Sequence, residues 1–159
     1  MVADARSDAW PDLAGRLIRT GQDEVRHLLP IRVYFEDTDF SGVVYHTSYL
    51  RWCERGRSDF LRLLGNDHHA LLTGGEGREP AAFVVRRMAL EYLKPARIDD
   101  VLEVKTELSG LGAASLDLNQ RITRAGVVLF EARVTVVLVS QSGKPMRIGA
   151  LLRNALSGA

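Results

Sequence analysis

The spacing of apolar residues changes along this chain, and each change predicts an element. Between Tyr49 and Leu64 the apolar positions Tyr49, Trp52, Cys53, Gly56, Phe60, Leu63 and Leu64 recur at steps of three and four, while Arg51, Glu54, Arg55, Arg57, Asp59 and Arg62 fill much of the rest. That is the signature of an amphipathic helix. Thr47 or Ser48 can cap its start, and Gly65-Asn66 can end it. Further on the period becomes two. Strands are predicted over Phe83–Leu93, Val101–Leu108, Ala114–Ile122 and Val127–Val139; in the last of these Val128, Phe130, Ala132, Val134, Val136 and Leu138 oppose Glu131, Arg133 and Thr135. Clean alternation means one buried and one wet face, the habit of antiparallel sheets. Ser109-Gly110-Leu111-Gly112 and Ala125-Gly126 suit hairpins.

Upstream of the helix, Ile31, Val33 and Phe35 alternate with Arg32 and Tyr34, predicting a strand from Ile31 to Glu36, followed by the turn-rich stretch Asp37–Gly42. Residues 66–80 are Gly-rich and polar and are expected to form a loop, and residues 148–156 a short terminal helix. In residues 1–30, Leu13, Leu17 and Ile18 have helical spacing, but Gly15 and Gly21 interrupt it and Pro30 punctuates the segment. A frayed tail or short docking helix is the expectation, giving an N-terminal extension (1–30) and one domain (31–159). One strand, one long apolar-striped helix and four strands in a meander make an α+β protein. A curved antiparallel sheet that buries its apolar face around such a helix is the hotdog fold.

Composition narrows the function classes. The chain has 159 residues, a formal net charge of +1 and one cysteine. No global field draws it to nucleic acid or to an anionic surface, and an intrachain disulfide is impossible. Asp4, Arg6, Asp8 and Asp12 interrupt the N-terminus where a secretory signal needs an apolar run, and Val134–Val139 is too short to span a bilayer. A cytoplasmic protein with no transmembrane segment is expected.

The stretch from Val33 to Tyr49, Val-Tyr-Phe-Glu-Asp-Thr-Asp-Phe-Ser-Gly-Val-Val-Tyr-His-Thr-Ser-Tyr, carries the candidate chemistry. Attack on a carbonyl compound needs the carbonyl polarised and a nucleophile delivered. Backbone amides at a helix N-terminus lack intrahelical acceptors and sit at the positive end of the dipole, so they can do the first. The predicted helix begins just after His46, and Asp39, seven residues upstream on a turn, is placed to do the second. On spacing alone, Asp37 and Asp39 are more simply read as turn and capping residues. The segment resembles the active-site segment of the 4-hydroxybenzoyl-CoA thioesterase family, closest to its Tol–Pal-associated acyl-CoA thioesterase branch. Matches continue through Glu54-Arg55-Gly56-Arg57, Phe83–Met88, Glu91-Tyr92 and Pro95–Asp100, covering roughly residues 31–148.

The resemblance implies acyl-CoA thioester hydrolysis, or that of an acyl carrier protein thioester. It implies Asp39 as nucleophile or general base and the amide at His46 serving the carbonyl, with the His46 imidazole in a supporting role. Gly42, Val43, Tyr45, Thr47, Arg86 and Arg87 are assigned to the substrate, and Gly42 also lets the backbone turn tightly. No cofactor and no metal are implied. A homodimer or tetramer is, with active sites at the dimer interface, and so is a link to the cell envelope or to phospholipid synthesis. Arg86, Arg87, Lys94, Arg97, Arg121 and Arg124 are the pool from which CoA phosphate contacts come. Glu54 is a rival carboxylate but is expected to pair with Arg51 or Arg57. Cys53 falls on the apolar stripe and is read as core, and the adjacent His68-His69 do not have metal-ligand spacing. The alternatives are a noncatalytic hotdog module binding acyl-CoA, an acyl carrier protein or a partner protein, and a hotdog dehydratase, which would need an acid–histidine arrangement on the central helix.

Overall fold

The apolar stripe becomes the buried side of one helix, α1 (His46–Leu63), in a computed structural model that describes residues 13–21, 24–75 and 77–158. Tyr49, Trp52, Cys53, Phe60 and Leu61 are buried along it. The helix stops where the amides of Gly65 and Asn66 bond back to the carbonyls of Arg62 and Leu61 (3.0 and 2.9 Å), the paired bonds that close a helix C-terminus.

Six antiparallel strands form one sheet: β1 (Arg16–Thr20), β2 (Glu24–Arg32), β3 (Ala81–Tyr92), β4 (Val101–Leu111), β5 (Ser115–Arg124) and β6 (Val127–Ser140), in spatial order β1-β2-β4-β5-β6-β3. α1 packs against β1, β2 and β4. Leu102, Val104, Leu116, Leu118, Ile122, Phe130 and Val134 are the inward positions of the alternating strands and are almost fully buried. Each such side chain contributes about 1.5–3 kcal/mol when withdrawn from water.

The helix lies close to the sheet at one point. A Cβ on Gly56 would stand 3.1 Å from both Thr106 Oγ1 and Val104 Cγ1. There the Gln120 amide donates to the Cys53 carbonyl and to Thr106 Oγ1 (both 2.9 Å), and Arg57 donates to Gln120 Oε1 (2.9 Å). This small buried polar cluster fixes the register of α1 over β4 and β5.

Four local expectations are corrected. Leu17 and Ile18 lie on β1 and not on a docking helix: β1 and β2 form a hairpin through Gly21, with Arg16 opposite Leu28. The strand expected at Ile31–Glu36 starts at Glu24 and ends at Arg32. It ends because the Asp37 carboxylate accepts the Tyr34 amide (2.9 Å) and curls Phe35–Asp37 into a 3-10 turn. The four later strands are not a simple meander, since β3 pairs with β6 at the far edge and residues 93–100 carry the chain back across to β4. Finally, the loop expected over 66–80 contains a short helix, α2 (His68–Thr73), capped by Asp67. The terminal helix is α3 (Ala150–Ser157). The acidic positions Asp4, Asp8 and Asp12 lie outside the described residues.

Candidate active site

Asp39 sits in a tight turn folded back on the start of α1. Its amide donates to the Val43 carbonyl (2.9 Å), its carbonyl accepts from the Gly42 amide (3.1 Å), and Thr38 pairs with Val44. Gly42 has φ +82°, a conformation that favours glycine. The turn is tied to the helix through one atom, the Asp37 carbonyl oxygen, which accepts from the Tyr45 amide (2.7 Å) and from Ser48 Oγ (3.2 Å). Asp37 is therefore a structural residue. Behind the turn, Val43 pairs with Arg97, and the Val44 amide donates to the Ala96 carbonyl.

The Asp39 carboxylate is asymmetrically engaged. Ser41 donates to Oδ1 from both its amide (2.8 Å) and its hydroxyl (2.5 Å), the Val43 amide adds a weaker pull on the charged carboxyl, and Oδ2 accepts no hydrogen bond of ordinary length among the described residues. The Ser41 hydroxyl, helped by the Ser41 amide, holds the carboxyl below the usual carboxylate range. An ionised oxygen with a free lone pair is the form a nucleophile or general base requires.

The helix start is open. Tyr45 is the N-cap, and no side chain caps it, so the expected Thr47 or Ser48 cap is not formed; Ser48 is drawn to Asp37 instead. The amides of His46 and Thr47, the first two of the helix, have no intrahelical acceptor. His46 is held from the far side by Tyr92, whose hydroxyl donates to the His46 carbonyl (2.9 Å). Tyr92 in turn packs in a cluster with Tyr49 and Phe130, ring centres 5.0–5.5 Å apart. The His46 imidazole is exposed and lies tilted against the Tyr45 ring (4.4 Å between centres).

The local turn thus gathers Asp39, Gly42, Val43, Tyr45, His46 and Thr47. It does not bring in Arg86 and Arg87, which are exposed in the middle of β3, roughly 17–20 Å along the strand from Tyr92. Arg121 and Arg124 are committed to Glu131 (2.9 Å) and Asp100 (2.6 Å). Lys94 and Arg97 keep unpaired side chains among the described residues, and Arg97 lies directly beside Val43. Glu54 does not form the expected ion pair: Arg51 donates to Ser48 Oγ and Arg57 to Gln120. Burial pushes the Cys53 thiol up to about 12, which leaves it inert. His68 is spent on Asn66 and the Ser58 carbonyl (3.1 and 3.0 Å).

Two contributors escaped the sequence reading. Ser41 could have been found from the Asp-x-Ser spacing, which allows a side chain to accept from the amide two residues on. Tyr92 falls in the matched pair Glu91-Tyr92 but carries no role there, because its reach to His46 across 46 residues of chain leaves no local signal.

Comparison with known proteins identifies the family. A family model described as the thioesterase-like superfamily matches residues 33–156. The Escherichia coli O6:H1 protein named acyl-CoA thioester hydrolase YbgC is 48% identical over 111 residues, covering 69% of this chain and 79% of that one. A Haemophilus influenzae acyl-CoA thioesterase YbgC is 42% identical over 110 residues (69% and 78%). The crystal structure of a probable thioesterase from Bartonella henselae superposes with a TM-score of 0.74 at 44% identity, covering 78% of this chain and 99% of that one. With the matched region running from the end of β2 into α3, this chain belongs to the thioesterase-like superfamily.

Proposed function

We propose that the protein is an acyl-CoA thioester hydrolase in which Asp39 Oδ2 attacks the carbonyl or activates the attacking water, while the first amides of α1, at His46 and Thr47, receive the developing oxyanion. The observation that carries this is the pairing of a carboxylate with one free oxygen and an uncapped helix start, joined rigidly through the Asp37 carbonyl. Amides aimed where charge develops supply a large share of the catalysis in acyl transfer. The relatives named as acyl-CoA hydrolases support the substrate class. Gly42, Val43, Tyr45 and Thr47 form the wall beside the scissile bond, and the His46 side chain, exposed at the rim, is secondary to its amide.

The same reading includes a homodimer. β3 is a long edge strand with Val84 and Val85 exposed, and such an edge is normally covered or paired. Tyr34, Phe35 and Phe40 are also exposed around a solvent-reached Asp39, and a hydrolase that stabilises an oxyanion benefits from a second surface that excludes water. We also propose a cytoplasmic location, and a link to the cell envelope that rests on the family resemblance. A noncatalytic binding module is disfavoured by the ionised, half-free Asp39, which a purely structural turn does not need.

Ser41 gives a pH test. The carboxylate must be ionised, and its lowered pKa puts the acid limb of the kcat/KM profile below the ordinary aspartate range. In Ser41→Ala the largest cause of that lowering is gone, so the limb should move to higher pH, with the plateau above it largely kept. An unmoved limb in the profile would detach Asp39 from the rate.

Arg97 is our candidate for the CoA phosphates, because it is the unpaired cation nearest the turn. Arg97→Ala should raise KM for an acyl-CoA several-fold with kcat little changed, and leave the corresponding acyl-pantetheine thioester unaffected, since that substrate has no nucleotide. Equal effects on both substrates would point to a disturbed turn.

A further inference from the structure

One large cavity takes no part in this chemistry. It has a volume of about 720 Å³ and opens beyond the C-terminal end of α1, between α2, α3 and the first residues of β3. α1 has 18 residues, so the cavity lies roughly 27 Å from the helix start. Its size falls within the common range of small-molecule sites. Leu71, Phe83, Leu138, Met146, Ile148 and Leu152 give it apolar walls. Four charged residues also line it: Asp67, Arg78, Glu79 and Arg147.

The two signs are not equivalent. Each carboxylate has one oxygen engaged: Asp67 Oδ1 accepts the Ala70 amide (3.0 Å) as the cap of α2 and Glu79 Oε1 accepts from Ser142 Oγ (3.3 Å). The guanidinium groups of Arg78 and Arg147 make no hydrogen bond or ion pair among the described residues. An apolar chamber that offers two unpaired forked cations, beside carboxylates that each already hold a donor, can receive a single carboxylate on an apolar tail.

We infer that this cavity is a second ligand site that binds a free aliphatic carboxylate, tail inward against Phe83 and Leu138 and head group on Arg78 and Arg147. The ligand class is argued from the cavity alone. The proposed hydrolysis supplies a source of it, because the acid released by a thioesterase has this chemistry.

The test is an NMR titration of the full chain with decanoate below its micelle concentration, repeated in an Asp39→Asn background so that its result is independent of catalysis. Decanoate should bind both proteins equally and shift the amides of Leu71, Phe83 and Ile148, not those of Asp39 to Thr47. The double variant Arg78→Gln/Arg147→Gln should weaken decanoate binding at least tenfold and leave decanol binding unchanged. Ala70→Trp, on the exposed side of α2 at the cavity lining, should block both ligands in a folded protein. Equal affinity in the double variant, shifts confined to the Asp39 turn, or no binding to the wild type would each overturn the inference. So would a cavity closed by a second copy, seen as Ala70→Trp dissociating an oligomer that does not bind decanoate.

Discussion

Asp39→Asn is expected to lower kcat for acyl-CoA hydrolysis by about 100-fold or more, the scale set by loss of a positioned acid–base group. The substitution is nearly isosteric. An asparagine amide oxygen can still accept from the Ser41 amide and hydroxyl, which now hold Oδ1, and the Val43 and Gly42 backbone bonds do not involve the side chain. The turn should therefore persist. What disappears is the charge and the free Oδ2 lone pair, replaced by an N–H donor that neither attacks a carbonyl nor takes a proton from water. Because the wild-type carboxylate is spent on the transition state and not on holding the substrate, KM should change little. Release of free thiol from a panel of acyl-CoAs measures both constants. Wild-type rates in the variant would remove Asp39 from the mechanism.

The second large effect is on stability and reaches the same site. Phe130 is fully buried on β6 and meets Tyr49 of α1 in a stacked contact and Tyr92 of β3 edge-on. It is the apolar support behind the tyrosine that holds the His46 carbonyl. Phe130→Ala leaves a void that three different elements would have to collapse to fill, so the loss should be about 3–5 kcal/mol. For a chain of this length that is roughly a 6–20 °C fall in Tm, measurable by thermal or denaturant unfolding. Tyr92→Phe, which keeps the packing and removes only the hydroxyl, should cost far less stability. A fall in Phe130→Ala as small as that of Tyr92→Phe would mean that the cluster is not the support described.

The legible parts of this fold were those set by local periodicity. α1 and strands β3 to β6 appear where spacing put them, because a buried stripe leaves its period in the sequence whatever covers it. The failures are equally physical. β2 crosses Pro30 and carries His27 inward, where it is fully buried against Asp59 (2.7 Å). A histidine and a proline at buried strand positions break the apolar pattern that marks a strand. The placement of β3 beside β6 is a long-range choice that alternation cannot express. At the candidate site, Asp39, Gly42 and the His46 amide could be named because they lie within one motif of contiguous chain. The substrate roles given to Arg86 and Arg87 have no such local support. A basic residue on a strand shows neither which face it takes nor how far it lies from a turn distant in sequence.

In the proposed mechanism the Asp39 side chain and the first amides of α1 face one volume of space. A crystal structure of the Asp39→Asn protein soaked with an acyl-CoA that the wild type hydrolyses examines it directly. The thioester oxygen should lie about 2.7–3.1 Å from the His46 or Thr47 amide, with the residue 39 side chain facing the carbonyl carbon. An acyl-CoA whose carbonyl rests elsewhere, beside Glu54 or within the Arg78–Arg147 cavity, would contradict it.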